Sequence, residues 1–232
     1  MLRRVSLIWV LCGLIVSAPV WGQDARTVAG EPANLQTTKD ALIAYVSPSC
    51  KTENCYWPQI DKQTELAMRY LKASVKAAGD ASKLAVVLDI DETSLSNWAV
   101  EQHDDFGYIP SDSNMCVALW CGRAIPGTLR LFKEAKRLGV KVFFITGRPT
   151  SQQKDTEANL QAEGFVGYDG ITLRPPHPDS EKSVVPFKSG ARVEIAKSYT
   201  IVLNMGDQLS DLDGPGQAEH SVKLPNPFYY IQ

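Results

Sequence analysis

Short apolar segments rich in β-branched residues alternate with helical segments from residue 84 to the end of the chain. Four of these segments predict strands: Leu84–Leu88, Val140–Ile145, Ile171–Leu173 and Tyr199–Leu203. Apolar side chains between them recur at helical spacing, for example at Leu129, Phe132 and Ala135. Strands that alternate with helices form a parallel sheet with helices on both faces. The sequence therefore predicts an α/β fold with a doubly wound, Rossmann-like parallel sheet, which binds ligands beyond the carboxyl ends of its strands.

Helix signals surround these strands, and glycines end three of the helices. The predicted helices are 36–46, 58–78, 126–138, one that begins with a capping box of Thr150 and Gln153, and one that follows Lys188. The first two form a helical N-terminal extension to the sheet. The stretch after the first strand, through Trp120, is expected to be one long loop.

The N-terminus has the features of a secretory signal peptide. Arg3 and Arg4 precede an apolar run, Val5–Val16, that is short for a membrane span, and a small residue, Gly22, follows. Cleavage there leaves a secreted or periplasmic protein without stable membrane insertion, and a retained membrane anchor is the alternative. The predicted organisation is a signal peptide at 1–22, a polar linker at 23–35 and one domain at 36–232.

Four cysteines remain once cleavage of the signal peptide has removed Cys12. An even number of cysteines in an exported chain indicates disulfides, for which three connectivities are possible. We favour two local pairs, Cys50–Cys55 and Cys116–Cys121, because both fall in turn-like segments.

The charge balance argues against a nucleic-acid partner. The chain has 24 Lys+Arg against 26 Asp+Glu, a formal net charge of -2. A basic stripe that could follow a phosphate backbone is absent from the sequence. The sequence does not specify an oligomeric state.

Two aspartates follow the first predicted strand. Asp89 and Asp91 are two residues apart, so they point the same way if the strand geometry persists. One carboxylate can attack phosphorus while the other protonates the leaving oxygen and then activates water. The alternative is that both acids only shape a turn or cap a helix.

Two further clusters can hold a phosphoryl group. Thr146 and Gly147 follow the second predicted strand and offer a hydroxyl and backbone N–H groups near a helix start. Lys188 lies at another helix start, where a cation is unfavourable unless a bound anion compensates. Taken singly, Thr146 reads as a turn residue and Lys188 as a solvated surface lysine.

Two more aspartates follow the last predicted strand. Asp207 and Asp211 are four residues apart. Mg²⁺ prefers one or two carboxylates together with water and substrate oxygens, so this cluster predicts a magnesium site. With the other clusters it completes the groups that phosphoryl transfer needs: nucleophile, acid/base, anion clamp and metal site.

This set of motifs resembles a known family. The motifs Asp89-x-Asp91-x-Thr93, Thr146, Lys188 and Gly206-Asp207-x-x-x-Asp211 are similar to the four signatures of haloacid dehalogenase (HAD) superfamily phosphatases. The sequence Asp-Ile-Asp-Glu-Thr at 89–93 and the C-terminal segment Leu224–Ile231 resemble those of bacterial class B and class C acid phosphatases and of plant vegetative storage proteins. Over residues 36–232, the resemblance implies a HAD-like fold and Mg²⁺-dependent hydrolysis of small phosphate monoesters.

The resemblance also implies a role for each matching residue. Asp89 corresponds to the nucleophile and a metal ligand, and Asp91 to the acid/base, whose backbone carbonyl also binds the metal. Asp207 corresponds to a direct ligand of Mg²⁺, and Asp211 supports the ion.

The substrate-binding residues implied by the resemblance are Thr93, Thr146, Gly147 and Lys188, and Lys188 is also counted as catalytic. The stretches between the motifs are short, which predicts a small cap or none. Four aromatic residues in the first stretch could stack on a nucleotide base or pack the loop against the core: Trp98, Phe106, Tyr108 and Trp120. Nucleotides are therefore candidate substrates. A phosphotransferase and a non-catalytic storage protein are the alternative functions.

Overall fold

Seven strands are present in the computed structural model, which describes residues 30–176 and 183–231. The strands are β1 (Leu84–Leu88), β2 (Leu95–Ser96), β3 (Arg123–Ala124), β4 (Lys141–Pro149), β5 (Gly170–Arg174), β6 (Thr200–Gly206) and β7 (His220–Lys223). The predicted signal peptide and residues 23–29 of the predicted linker lie outside the described residues.

Five of these strands form one parallel sheet in the order β5-β4-β1-β6-β7. The chain runs from β1 outward through β4 to β5 and then returns to the other side of β1 as β6. The carboxyl ends of β1 and β6 are therefore adjacent at the point where the strand order reverses, which is where such sheets bind ligands. The predicted parallel α/β sheet is confirmed.

Helices cover both faces of this sheet. They are α1 (Leu35–Val46), α2 (Tyr56–Ala78), α3 (Trp98–His103), α4 (Pro110–Ala118), α5 (Pro126–Arg137), α6 (Gln153–Ala162), α7 (Val185–Ala196) and α8 (Leu209–Leu212). Alternate residues of β1 serve the two faces, as strand geometry requires. Val86 and Leu88 belong to the main core with α2 and α5, whereas Val87 packs with Phe187 and Ala191 of α7. Both faces of β1 are thus buried, which explains its continuous apolar sequence.

The N-terminal helices match the predicted extension closely. The long helix α2 has an apolar face on the core, and it ends at Gly79, whose φ of 72° is accessible to glycine at low cost. A disulfide, Cys50–Cys55, closes the turn between α1 and α2. The second predicted pair, Cys116–Cys121, is also present and joins the last turn of α4 to the segment that follows it.

The stretch predicted as a long loop contains two helices, so that prediction was wrong. α3 and α4 lie between β2 and β3, which pair antiparallel and close the base of the insertion. α3 is too short to display an apolar period, and α4 carries little amphipathic pattern in its polar start, Pro110–Asn114. This insertion, residues 97–122, is the small cap.

Two other local predictions differ from the structure. Thr150–Gln152 form a single 3₁₀ turn before α6, and a side-chain cap is not formed there, so the predicted capping box is wrong. The edge strand β7 was not predicted, because its four residues alternate too briefly to stand out. Within residues 30–176 and 183–231, the helices are too short or too polar to cross a membrane.

Candidate active site

Three buried aspartates meet at the carboxyl edge of the sheet. Asp89 follows β1 directly, Asp207 follows β6, and Asp211 lies in α8. Each offers a carboxylate oxygen, and these oxygens all lie within 4.8 Å of one another. Gly206 makes this approach possible, because a Cβ at that position would lie 2.3 Å from the Cβ of Asp211. The structure therefore brings together three carboxylates that the sequence separates by up to 122 residues.

Lys188 neutralises part of this cluster. Its Nζ donates to Oδ1 of Asp89 at 2.8 Å and to Oδ1 of Asp211, and its side chain is almost fully buried. The sequence predicts a helix that follows Lys188. In the structure α7 begins at Val185, so Lys188 belongs to the first turn of this helix. The lysine is therefore not a solvated surface charge.

Burial and crowding act strongly on these carboxylates. Burial, then the charge of Asp211, raise the pKa of Asp89 well above its usual value, although Lys188 opposes the shift. The same two causes raise the pKa of Asp207. Burial alone would lower the pKa of Lys188, but the charges of Asp89 and Asp211 raise it instead. One ammonium thus faces three carboxylates, and the remaining negative charge and hard oxygen donors fit a divalent cation such as Mg²⁺.

Asp207 is held by three hydrogen-bond donors. Thr93 Oγ1 donates to Oδ1 at 3.0 Å, while the side-chain amides of Gln208 and Asn226 donate to Oδ2 at 2.8 and 2.7 Å. Thr93 is fully buried and does not line the cleft. The structure therefore places Thr93 with a candidate metal ligand rather than with the substrate.

Asp91 is held by a different cation, Arg148. Nε of Arg148 lies 3.1 Å from both carboxylate oxygens, Nη2 donates to Oδ1 at 2.7 Å, and Asn97 Nδ2 also donates to Oδ1 at 2.7 Å. Burial would raise the pKa of Asp91, but the charge and hydrogen bonds of Arg148, with that of Asn97, outweigh it and leave the pKa lowered. Asp89 and Asp91 thus have pKa values shifted in opposite directions.

Arg148 is not among the site residues that the sequence predicts. It lies at the carboxyl end of β4, in a segment where the strand register with β5 shifts between Thr146 and Pro149. Its Nη1 also donates to Thr156 of α6 at 3.2 Å. The one signal for it was its position two residues after Thr146, at a strand end.

Thr146 and Gly147 differ in their exposure to the cleft. Thr146 is fully buried, and its Oγ1 accepts a hydrogen bond from the backbone N–H of Arg148 at 3.1 Å. Gly147 is exposed and lines the cleft, so its backbone is accessible to a ligand. Of these two predicted phosphate-binding residues, the structure brings only Gly147 to the surface of the cleft.

Glu92 fixes the turn that carries Asp89 and Asp91. Its backbone has a φ of 50°, and its buried carboxylate accepts hydrogen bonds from the N–H of Asn97 at 2.6 Å and the hydroxyl of Tyr229 at 3.0 Å. Burial, together with the charge of Asp91, raises the pKa of Glu92 to about 8. The C-terminal segment thus contacts the turn that positions Asp89 and Asp91.

The aspartates open into a cleft of about 570 Å³. The cap lines one side through Glu101, Phe106 and Tyr108, and the C-terminal segment lines another through Tyr230. Tyr108 and Tyr230 are 80% and 70% exposed, so their rings are available to a ligand. The small cap leaves the site open to small molecules.

The four cap aromatics divide between the two predicted uses. Trp98 and Phe106 pack on Phe228, with ring centroids 5.4 and 6.3 Å away, and so anchor the cap to the C-terminal segment. Phe106 and Tyr108 line the cleft, whereas Trp120 is not among its lining residues. Stacking on a ligand is therefore open to Tyr108 and, in part, to Phe106.

Comparisons with known proteins agree with this geometry. The family model of HAD superfamily subfamily IIIB, acid phosphatase, matches residues 25–232. Acid phosphatase 1 of Solanum lycopersicum is 34% identical over 180 residues, which cover 76% of this chain and 69% of that protein. Vegetative storage protein 1 of Arabidopsis thaliana is 31% identical over 208 residues, which cover 85% of this chain and 73% of that protein.

A solved structure shows the same fold. The crystal structure of the class C acid phosphatase from Bacillus anthracis with tungstate bound has a TM-score of 0.67 to this chain, at 25% sequence identity. The superposition covers 84% of this chain and 86% of that chain. The resemblance predicted from the motifs is confirmed, and the chain belongs to HAD superfamily subfamily IIIB, the acid phosphatases, which makes it a phosphoric monoester hydrolase.

Proposed function

We propose that the protein is a Mg²⁺-dependent acid phosphatase that hydrolyses small phosphate monoesters through an aspartyl-phosphate on Asp89. The observation that carries the proposal is the convergence of Asp89, Asp207, Asp211 and Lys188 at the carboxyl edge of the sheet. The second acid, Asp91, lines the same cleft. Together these groups supply a nucleophile, a proton donor and acceptor, a cation that can hold the phosphoryl oxygens, and a metal site.

Asp89, Asp207 and Asp211 would hold Mg²⁺, together with the backbone carbonyl of Asp91. When bound, the ion offsets the negative charge that otherwise repels a phosphate dianion from the Asp89 carboxylate. Burial and the charge of Asp211 raise the pKa values of Asp89 and Asp207, so a bound cation would favour the ionised form of both groups.

In the first step, a carboxylate oxygen of Asp89 attacks phosphorus. The bond between phosphorus and the ester oxygen breaks, and protonated Asp91 gives its proton to the departing alkoxide. Lys188 donates to Oδ1 of Asp89, which holds the carboxylate in one orientation for the attack. We assign Lys188 and the backbone of Gly147 to the phosphoryl oxygens. Thr146 stabilises the loop around Gly147, because its Oγ1 accepts the backbone N–H of Arg148.

In the second step, Asp91 acts as a base. Its carboxylate takes a proton from water while the water oxygen attacks phosphorus, and the bond from phosphorus to Asp89 breaks. Phosphate leaves, Asp89 is again a carboxylate, and Asp91 is protonated for the next cycle. Arg148 favours the ionised form of Asp91 that this step needs. Because the first step needs the protonated form of Asp91, acid pH should favour that step as long as Asp89 stays ionised.

The test is to trap the intermediate. Enzyme is mixed with a ³²P-labelled monoester and Mg²⁺, quenched in acid within milliseconds, and digested for peptide mapping. We expect label on the peptide that contains Asp89. Label on another residue, or hydrolysis with label absent from the protein, would overturn the aspartyl-phosphate mechanism.

The tungstate in the Bacillus anthracis structure supports the substrate assignment. Tungstate is a tetrahedral oxyanion, so that relative accepts a group shaped like phosphate. Small monoesters fit the open cleft, and nucleotides are candidates because Tyr108 and Tyr230 can stack on a planar ring. The two disulfides support a secreted or periplasmic location, because such bonds persist in oxidising compartments.

Two other functions deserve a direct comparison. Transfer of the phosphoryl group from Asp89 to an alcohol uses the same intermediate, and adding an alcohol would then produce a new ester beside free phosphate. A storage role is suggested by the Arabidopsis relative, which is named a vegetative storage protein. Asp89 favours catalysis over storage, since a storage protein does not need this nucleophile.

A further inference from the structure

The C-terminal segment, residues 224–231, lies against the candidate metal site. Its first residue continues the sheet edge, where the N–H of Leu224 donates to the carbonyl of Gly206 at 2.8 Å. Two residues later the side chain of Asn226 reaches Asp207, with Nδ2 2.7 Å from Oδ2. The segment ends over Gln208, whose Oε1 accepts the N–H of Ile231 at 3.2 Å. It is therefore part of the shell around Asp207.

The donors on Asp207 are distributed unequally between its two oxygens. Oδ2 accepts two amide N–H groups, from Gln208 and Asn226, whereas Oδ1 accepts the single hydroxyl of Thr93. Each carboxylate oxygen offers two lone-pair sites. The two amides thus fill Oδ2, and the remaining site on Asp207 is on Oδ1.

Asn226 is itself held in place. Its Oδ1 accepts the backbone N–H of Phe228 at 2.8 Å, which fixes the orientation of the amide and points Nδ2 at Asp207. Phe228 is buried among the rings of Tyr56 and Trp98, with centroids at 5.5 and 5.4 Å. The donor is therefore anchored to the core by the packing of the next aromatic residue.

We propose that Asn226 is a positioning residue for the metal, which orients Asp207 so that Oδ1 is the coordinating oxygen. The inference rests on the proposed metal site at Asp89, Asp207 and Asp211. Groups that orient a metal ligand typically contribute about 10- to 100-fold to metal affinity. Asn226 donates from a segment 19 residues beyond the ligand in sequence, so the C-terminal segment becomes part of the metal centre.

The test is a calorimetric titration of Mg²⁺ into the metal-free protein. Asn226→Leu keeps the size of the side chain but removes the donor, and we expect Mg²⁺ affinity to fall about 10- to 100-fold. Asn226→Ala gives the same readout if the leucine variant does not fold. The matched control is Asn159→Leu in α6, which removes another buried amide, one that donates to the carbonyl of Gly122 at 2.9 Å. The control should lose stability but bind Mg²⁺ as the wild type does.

The outcomes separate the inference from the proposed function. If the wild type does not bind Mg²⁺, the proposed metal site fails. If the wild type binds and the Asn226 variants bind equally well, only the positioning role is overturned. A similar loss in Asn159→Leu would also overturn it, because the effect would then follow from destabilisation alone.

Discussion

At the scale of single residues, two neighbouring carboxyl groups have different cationic partners, and their pKa values are shifted in opposite directions. Lys188 shares its charge between Asp89 and Asp211, and the pKa of Asp89 stays raised, whereas Arg148 pairs with Asp91 alone and lowers its pKa. Pairs of acids whose environments push their pKa values apart commonly divide the catalytic roles between them. The two aspartates should therefore respond differently to the same substitution.

Asp89→Asn should abolish turnover, because an amide cannot form an acyl phosphate. Asp91→Asn should keep the nucleophile but lose proton transfer, which typically contributes roughly 10²- to 10⁴-fold. The loss in Asp91→Asn should be smallest for esters with very good leaving groups, which need no proton. Steady-state kinetics on esters of graded leaving-group pKa checks this; an equal loss across the whole series would contradict the division of roles.

Lys188→Met should reduce kcat on the order of 10²-fold or more, since the ammonium stabilises developing negative charge at the phosphoryl group. The change also leaves Asp89 and Asp211 buried without their shared cation. Lys197→Met is the control, because Lys197 lies just beyond the end of the same helix and, among the described residues, forms an ion pair only with Glu194 at the surface. Turnover at the wild-type level in Lys188→Met would remove the lysine from the mechanism.

The sequence identified the acidic residues of the candidate site, together with Lys188 and Thr93, but not Arg148 or Asn226. The four aspartates follow strands, and the carboxyl ends of parallel strands lie at one edge of the sheet. The predicted parallel sheet alone therefore brings Asp89, Asp91, Asp207 and Asp211 to that edge. Arg148 and Asn226 act on partners 57 and 19 residues away, which depends on packing that no local pattern encodes. The hydroxyls of Thr93 and Thr146 likewise required the three-dimensional arrangement before their partners were known.

At the scale of elements, prediction succeeded where the apolar pattern was long. β1 and the helices α2 and α5 fall close to their predicted limits, since each buries a continuous face against the core. The cap helices and β7 were missed because they are short and half-exposed, and tertiary contacts rather than local periodicity define them. The cap is held by the aromatic contacts of Trp98 and Phe106 with Phe228.

One cap helix carries a carboxylate that should make stability depend on pH. Glu101 of α3 lines the cleft, and its carboxylate accepts no hydrogen bond from the described residues. Burial, then the charges of Asp104 and Asp91, raise its pKa to about 7. The folded protein therefore holds this proton more tightly than the unfolded chain, so the contribution to stability is complete below about pH 4.5 and is lost as pH rises through 7.

Glu101→Gln should remove that dependence. The variant and the wild type should be equally stable near pH 4, and the variant should be the more stable of the two at pH 8. Urea denaturation at both pH values measures the difference, and Glu65→Gln on the exposed side of α2 controls for the loss of one charge. A variant that is less stable than the wild type at pH 8 would show that the ionised Glu101 stabilises the cap.

At the scale of the whole molecule, the buried carboxylates of the candidate active site are expected to lower the free energy of unfolding. The sheet brings Asp89, Asp207 and Asp211 together in a buried place, and Lys188 offsets only part of their charge. The sequence predicted this convergence from the order of its strands, but not its energetic consequence, which depends on burial. Stability and function are thus expected to respond in opposite directions when the charge of one of these three aspartates is removed.

Mg²⁺ should therefore stabilise the metal-free protein. Binding to the folded state alone adds about 2.7 kcal/mol at 100 times the dissociation constant. For a domain of this size, that corresponds to a rise of roughly 5–10 °C in the thermal midpoint. Full phosphatase activity after exhaustive chelation, or a midpoint that Mg²⁺ leaves unchanged, would contradict the metal site.

Asp207→Asn should reverse the balance between stability and function. The asparagine can keep all three polar contacts, because its oxygen can accept from Gln208 and Asn226, while the hydrogen bond with Thr93 reverses and the amide donates to the hydroxyl oxygen. The substitution removes the buried carboxyl group of Asp207, whose pKa is raised by burial and by the charge of Asp211. We expect the metal-free variant to melt at a higher temperature than the metal-free wild type, yet to gain little from Mg²⁺ and to lose activity. Calorimetric melting with and without Mg²⁺ measures both effects, and a variant that melts lower than the wild type in the absence of metal would show that the fold needs the charge of Asp207.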